Sequence, residues 1–175
     1  MRAGLREVPP VEGGDATRHP SSGATPYGFD FAPDGTLVVT EAFGGTVGAA
    51  ATSSYAPGLR PVSKSVANAR SEVCWAAVTK DGRYVFVTNF GDGAISSYAI
   101  GADGSLSLVD AVAGSTVLGA KGVRDEALSS DGRFLYTLDA DARKVFAFSV
   151  RDDGRLDPVG NYDGLPATAA GLAAV

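Results

Sequence analysis

Cysteine, histidine, tryptophan and methionine each occur once in this 175-residue chain. The lone thiol, Cys74, excludes an intramolecular disulfide framework and a cysteine-based zinc site. A basic surplus is also missing: 15 Lys and Arg stand against 20 Asp and Glu, for a net charge of −5. Such a surface repels phosphate backbones, so no nucleic-acid partner is expected. No apolar run reaches the ~20 residues that a bilayer-crossing helix needs, and no membrane partner is expected. The opening MRAGLREVPPVEGG has no apolar signal-peptide segment, which points to the cytoplasm. G-x-S-x-G, P-loop and dinucleotide fingerprints are absent. The acidic turns at Asp92-Gly93, Asp103-Gly104 and Asp152-Asp153-Gly154 lack the alternating carboxylates of a calcium loop. Neither a metal nor a cofactor is expected.

What is present is a repeat. PYGFDFAPDGTLVVTEAFGGTV from Pro26, CWAAVTKDGRYVFVTNFGDGAI from Cys74 and RDEALSSDGRFLYTLDADARKV from Arg124 align on Asp34-Gly35, Asp81-Gly82 and Asp131-Gly132, with spacings of 47 and 50 residues. Periods of this size belong to propeller blades. Each Asp-Gly lies between two apolar runs, such as Val73–Val78 and Tyr84–Thr88. The pair tolerates positive φ at both central positions, as a tight hairpin demands. A third strand follows at Ile95–Ile100 or Val145–Val150, then a turn, then a fourth strand from Leu106 or Leu156. In the first repeat the third strand falls within Thr46–Tyr55, and the fourth begins at the GLRPV of Gly58. That phrase has an echo in GLREV from Gly4.

The pattern predicts an all-β fold, a partial β-propeller of about three four-stranded antiparallel blades plus one extra strand. Residues 1–25 hold that strand (Gly4–Val8) and a connector; the blades are 26–70, 71–121 and 122–175, the last with a closing segment at Ala169–Val175. Phe29, Phe31, Leu37, Val39, Trp75, Val78, Tyr84, Phe86, Leu128, Phe134, Tyr136, Phe146 and Phe148 are the expected core. Propellers close with roughly 4–8 blades. An open arc implies a C-terminal fragment, a truncated gene product, or a chain that pairs with another through its uncovered blade faces.

These phrases, with the DGR turn, the aromatic second strand and the closing GLPATAAGLAAV, resemble the lactonase-type seven-bladed β-propellers, a family that includes 6-phosphogluconolactonases and carboxymuconate lactonising enzymes. The resemblance runs over residues 3–175 and corresponds to the C-terminal half of a member. It implies hydrolysis or formation of a sugar- or muconate-derived lactone, a small-molecule lactone as partner, and little activity for a fragment alone. Family blades often carry histidine at the start of the inner strand. Here those starts read Pro26-Tyr27-Gly28, Val73-Cys74-Trp75 and Val123-Arg124-Asp125, so no family catalytic residue carries over. The alternative is a non-catalytic scaffold that binds a protein or small ligand at its channel mouth.

Lactone hydrolysis needs a base for water and a cation or donor for the oxyanion. Arg124, Asp125 and Glu126 form the densest charged cluster at an inner-strand entry and are the candidate catalytic residues. By strand alternation Arg124 and Glu126 share a face and Asp125 takes the other. Arg70 and Glu72, one blade earlier, and His19 in the connector RHPSSGATP are candidate substrate contacts. Glu41, Asn89 and Asp139 recur after each second strand, where polar side chains commonly satisfy turn backbone.

Overall fold

The computed structural model describes residues 17–174, so the strand expected at Gly4–Val8 lies outside the described residues. Within them the protein is all-β, with twelve strands. β1 (Pro26–Phe31), β2 (Leu37–Glu41), β3 (Ala51–Ala56) and β4 (Arg60–Ala67) form one antiparallel sheet in sequence order. β5 (Val73–Val78), β6 (Tyr84–Asn89), β7 (Ala94–Ile100) and β8 (Leu106–Ser115) form the second. β9 (Val123–Leu128), β10 (Phe134–Asp139), β11 (Lys144–Val150) and β12 (Leu156–Asp163) form the third. The first strands of neighbouring sheets, β1 with β5 and β5 with β9, lie side by side. This is the arrangement of propeller blades about a channel. β3 begins later than Thr46, because Gly44, Gly45 and Gly48 adopt positive φ and Phe43–Gly45 makes a short 3-10 turn. Residues 169–174, within the expected closing segment, form no strand.

The hairpins after β1, β5 and β9 depart from the two-residue turn. Positive φ occurs at Gly35, Gly82 and Gly132 but not at the aspartates before them. The Gly82 N–H donates to the Thr79 carbonyl at 2.8 Å, and the Thr79 N–H to the Tyr84 carbonyl at 2.9 Å. The loop is therefore a four-residue turn ended by a left-handed glycine, a common longer hairpin. Each aspartate accepts from the backbone beyond it: Asp34 from Thr36 N, Asp81 from Arg83 N, Asp131 from Arg133 N. Hydrogen bonds from Thr79 and Arg83 outweigh burial and bring Asp81 down to about 2.

Two apolar layers join the sheets. Val38, Ala32 and Ala50 of the first meet Val78, Val85, Val87 and Tyr98 of the second. Ala77, Phe86 and Ile95 on the other face of the second meet Leu135, Phe148 and Leu156 of the third. Polar contacts add register: the Ser54 hydroxyl donates to the Gly104 carbonyl and the Tyr98 hydroxyl to the Val66 carbonyl. Three expected core residues are exposed instead: Phe29 at 59%, Phe31 at 55% and Trp75 at 37%. Phe29 and Phe31 stand on the face of β1 turned away from the second sheet, and no described residue covers them. Trp75 is turned outward by an irregularity in β5 that has a counterpart in every blade.

Candidate functional site

Each inner strand carries a β-bulge near its start. The register slips between Pro26 and Phe29 in β1, between Val73 and Ala76 in β5, and opposite the Leu138–Asp139 step in β9, where Arg124 is the extra residue. A bulge breaks alternation and re-aims a side chain. Threonines of the second strands hold two of the bulges. The Thr40 hydroxyl accepts from the Gly28 N–H at 2.9 Å and donates across the blade boundary to the Cys74 carbonyl at 2.5 Å. The Thr88 hydroxyl accepts from the Trp75 N–H. A Cβ at Gly28 would run into that Cys74 carbonyl and lie 2.8 Å from Trp75 Cα. Only glycine permits this approach.

The bulged residues converge. Tyr27, Cys74, Trp75 and Arg124 line one pocket of about 600 Å3, together with Thr25, Ala42, Glu72 and Phe90. Tyr27 and Trp75 meet edge to face with centroids 5.9 Å apart. Phe90 has the Lys121 ammonium and the Arg124 guanidinium each 5.7 Å from its centroid. Lys121 Nζ donates to both oxygens of Glu72, at 2.8 and 3.0 Å. Arg124 is less well satisfied. Its Nη2 reaches Asp141 only at 3.4 Å, and its buried Nε has no partner among the described residues. Burial pushes the Cys74 thiol up to about 11, so at neutral pH it is not a thiolate nucleophile.

The structure brings together two of the six candidate residues, Arg124 and Glu72. The bulge suspends the alternation that would put Arg124 and Glu126 on one face. Arg124 turns into the pocket, while Glu126 is buried, with neither oxygen hydrogen-bonded. Asp125 accepts from the Leu172 N–H of the C-terminal segment at 2.6 Å. Arg70 pairs with Asp92 at 3.5 Å. His19 lines a separate recess of about 180 Å3 with Ser21, Leu37 and Tyr55. Tyr27, Phe90 and Lys121 were not singled out from sequence. Phe90 had a signal, since it follows Asn89 where the other repeats have Ala42 and Ala140. Glu41, Asn89 and Asp139 do hold local structure: Glu41 accepts from Gly23 N and from Ser21, Ser53 and Ser65, and Asp139 accepts from Ala142 N. Asn89 donates to the Val87 and Ala94 carbonyls.

Among the described residues no helix is long and apolar enough to cross a membrane, and no group of three or more potential metal ligands occurs. A sequence model of the lactonase, 7-bladed β-propeller family matches residues 39–169. No curated protein sequence matches the chain. Among solved structures, the periplasmic gluconolactonase of Pseudomonas aeruginosa has a TM-score of 0.58 at 23% identity, over 79% of this chain and 40% of its own. The candidate 6-phosphogluconolactonase of Bacteroides uniformis has a TM-score of 0.62 at 18% identity, over 79% of this chain and 41% of its own. A streptogramin B lyase has a TM-score of 0.60 at 17% identity, over 90% of this chain and 46% of its own. At such identities the likeness carries the fold and not the activity. The chain spans about two fifths of the length of the first solved structures it matches.

Proposed function

The chain belongs to the seven-bladed β-propeller lactonase family, and from that premise we propose that its bulge-lined pocket binds a small anionic lactone and assists ring opening by water. The observation that carries this reading is the convergence of the three inner-strand entries on one pocket that holds an under-satisfied guanidinium. When water adds to a lactone carbonyl, negative charge gathers on the former carbonyl oxygen. Arg124 has donors left for that oxygen or for an acidic substituent of the substrate, and a preorganised cation there lowers the barrier. Glu72 is the carboxylate at hand to take the proton of the attacking water, with Lys121 fixing its orientation. The ring C–O bond then breaks, and the departing alkoxide recovers a proton. The Tyr27–Trp75 pair offers an apolar wall for the carbon skeleton. Asp125, on this reading, ties the C-terminal segment to β9 rather than touching substrate, and Glu126, buried and not among the pocket-lining residues, takes no direct part. Arg70 and His19 are not among the residues that line this pocket and are given no direct part. The pocket is open at its side, so the chain by itself supplies part of a channel and turns over slowly.

The test uses D-glucono-δ-lactone and 6-phosphogluconolactone in a pH-stat assay corrected for spontaneous hydrolysis. Lactone binding is read in parallel by emission of the single tryptophan, Trp75, which lines the pocket. Arg124→Met should cut the enzyme-dependent rate on the order of tenfold to a hundredfold. Binding with no turnover at all by the parent chain refutes the hydrolytic reading. Neither binding nor turnover removes the pocket as the site.

A further inference from the structure

One part of the pocket wall belongs to none of the three sheets. Residues 164–174, which follow β12, form no strand, yet two anchors fix their course. At the near end the Leu165 N–H donates to the Arg143 carbonyl at 3.2 Å, and Arg143 Nε donates back to the Leu165 carbonyl at 3.0 Å. At the far end the Leu172 N–H donates to Asp125 Oδ2 at 2.6 Å. Between them the Ala169 N–H closes a turn on the Pro166 carbonyl at 3.0 Å. Ala170 then lines the pocket together with Arg124.

The near anchor repeats one in the preceding sheet. There the Thr116 N–H donates to the Gly93 carbonyl at 2.9 Å. Gly93 stands just before β7 as Arg143 stands just before β11, and both have positive φ, 69° and 58°. Arg143 takes a left-handed backbone that glycine adopts without strain, and its side chain supplies the second bond to Leu165. The far anchor differs. In the preceding connector Lys121 reaches the Glu72 carboxylate with its side chain. Ala170 has no such reach, and here the backbone itself is held by a carboxylate of β9. Asp125 is oriented for that task, because its Oδ1 accepts from the Glu126 N–H at 2.8 Å and leaves Oδ2 for Leu172.

We propose that Asp125 is a positioning residue, which through the Leu172 N–H holds residues 166–172 as a wall of the pocket beside Arg124. The proposal rests on the lactone-binding reading of that pocket. A carboxylate acceptor at this distance makes a strong hydrogen bond. Residues 166–172 are otherwise half-buried or exposed, and a segment with so few buried contacts opens readily once an anchor is lost. Ala169, Ala170 and Gly171 carry small side chains, which keep the pocket wide at this wall.

Cys74 is the only thiol of the chain and lines the same pocket, so its rate of maleimide labelling in the empty protein reads whether the wall is in place. Asp125→Ala should raise that rate about tenfold at fixed pH, through loss of one charge-assisted hydrogen bond. Leu172→Pro should do the same from the donor side and leaves the sequence of β9 untouched. Asp125→Asn removes the charge but keeps a carbonyl oxygen for the Leu172 N–H, so it should label within about twofold of the parent. In lactone hydrolysis, Asp125→Ala and Leu172→Pro should raise KM about tenfold with kcat within about twofold, and Asp125→Asn should restore the parent KM. Circular dichroism checks each fold, and Leu172→Pro decides if Asp125→Ala fails to fold. Labelling at the parent rate in either folded variant overturns the proposal. So does Asp125→Asn labelling as fast as Asp125→Ala, since charge and not the bond would then be responsible. Faster labelling with unchanged KM also overturns it, because the wall would take no part in binding. A parent chain that binds no lactone refutes the functional reading alone, and labelling then decides whether Asp125 holds the wall.

Discussion

Glu126 is 7% exposed, and neither carboxylate oxygen has a hydrogen-bond partner among the described residues. A carboxylate in such a place is costly, so the proton stays on. Burial, aided by the negative charges of Asp125 and Asp30, pushes Glu126 well above its ordinary 4.5. The consequence for stability follows from linkage. A carboxyl whose folded pKa exceeds its unfolded one binds more protons in the folded state between the two values, so unfolding becomes easier as pH rises through that window. The contribution is fully present below about 4.5 and is lost as pH climbs from there to the raised folded value. Thermal melts of the parent chain should therefore show a component of Tm that falls with rising pH across this window. Glu126→Gln should flatten it and raise Tm at the alkaline end. An unchanged pH profile in the variant would mean that Glu126 finds a partner in solution. Asp81 has the opposite sign: it is held at about 2, so its contribution is lost as pH falls through that value. Its half-exposed position screens the Arg83 pairing, leaving the turn hydrogen bonds as the main effect.

At the level of single strands and turns, the repeat was legible because its signals are local. Apolar runs and Asp-Gly pairs are set by neighbours in sequence, and the inner strand Val73–Val78 coincides with β5. Three features escaped for physical reasons. The hairpin after β1 is one residue shorter than its counterparts, since Phe31 pairs with Leu37 where Val78 pairs with Val85, with Asp34 and Asp81 in the corresponding turns. Exposure of Phe29 and Phe31 depends on which sheet faces which, and no window of sequence contains that. The bulges are the most consequential, because they place Tyr27, Cys74, Trp75 and Arg124 and so decide the site. No residue type is common to all three, since only the first holds a glycine, Gly28, and they are kept by contacts from other strands. Thr40 shows how. It is fully buried, and its hydroxyl serves both the Gly28 N–H of its own sheet and the Cys74 carbonyl of the next. Thr40→Val keeps the shape and removes the hydroxyl, which leaves a buried N–H unpaired at a cost of about 1–3 kcal/mol. The same change should also weaken lactone-dependent quenching of Trp75, because the bulge at Tyr27 loses its support. Denaturant melts measure the first effect and emission the second. A variant as stable as the parent would show that the bulge holds without Thr40.

Across the whole molecule the sheets form a short row in which each contacts only its neighbours, and stability in such an array is a sum of unit and interface contributions. Among the described residues the middle sheet has two interfaces and the outer sheets have one each. Burial reflects this. Val85, Phe86, Val87, Ile95 and Tyr98 of the middle sheet are fully buried, while the first sheet leaves Phe29 and Phe31 in water. Opening an outer sheet exposes one apolar layer, and opening the middle one exposes both. Local opening free energies should therefore rise toward the centre of the row. In native-state hydrogen exchange at high dilution, the amides of β6 and β7 should exchange most slowly, and those of β1, β2 and β10 clearly faster. Equal exchange in all three sheets would indicate that the chain opens as one cooperative unit, and the nearest-neighbour account would fail. Slowest exchange in the first or third sheet at high dilution would contradict the packing order itself.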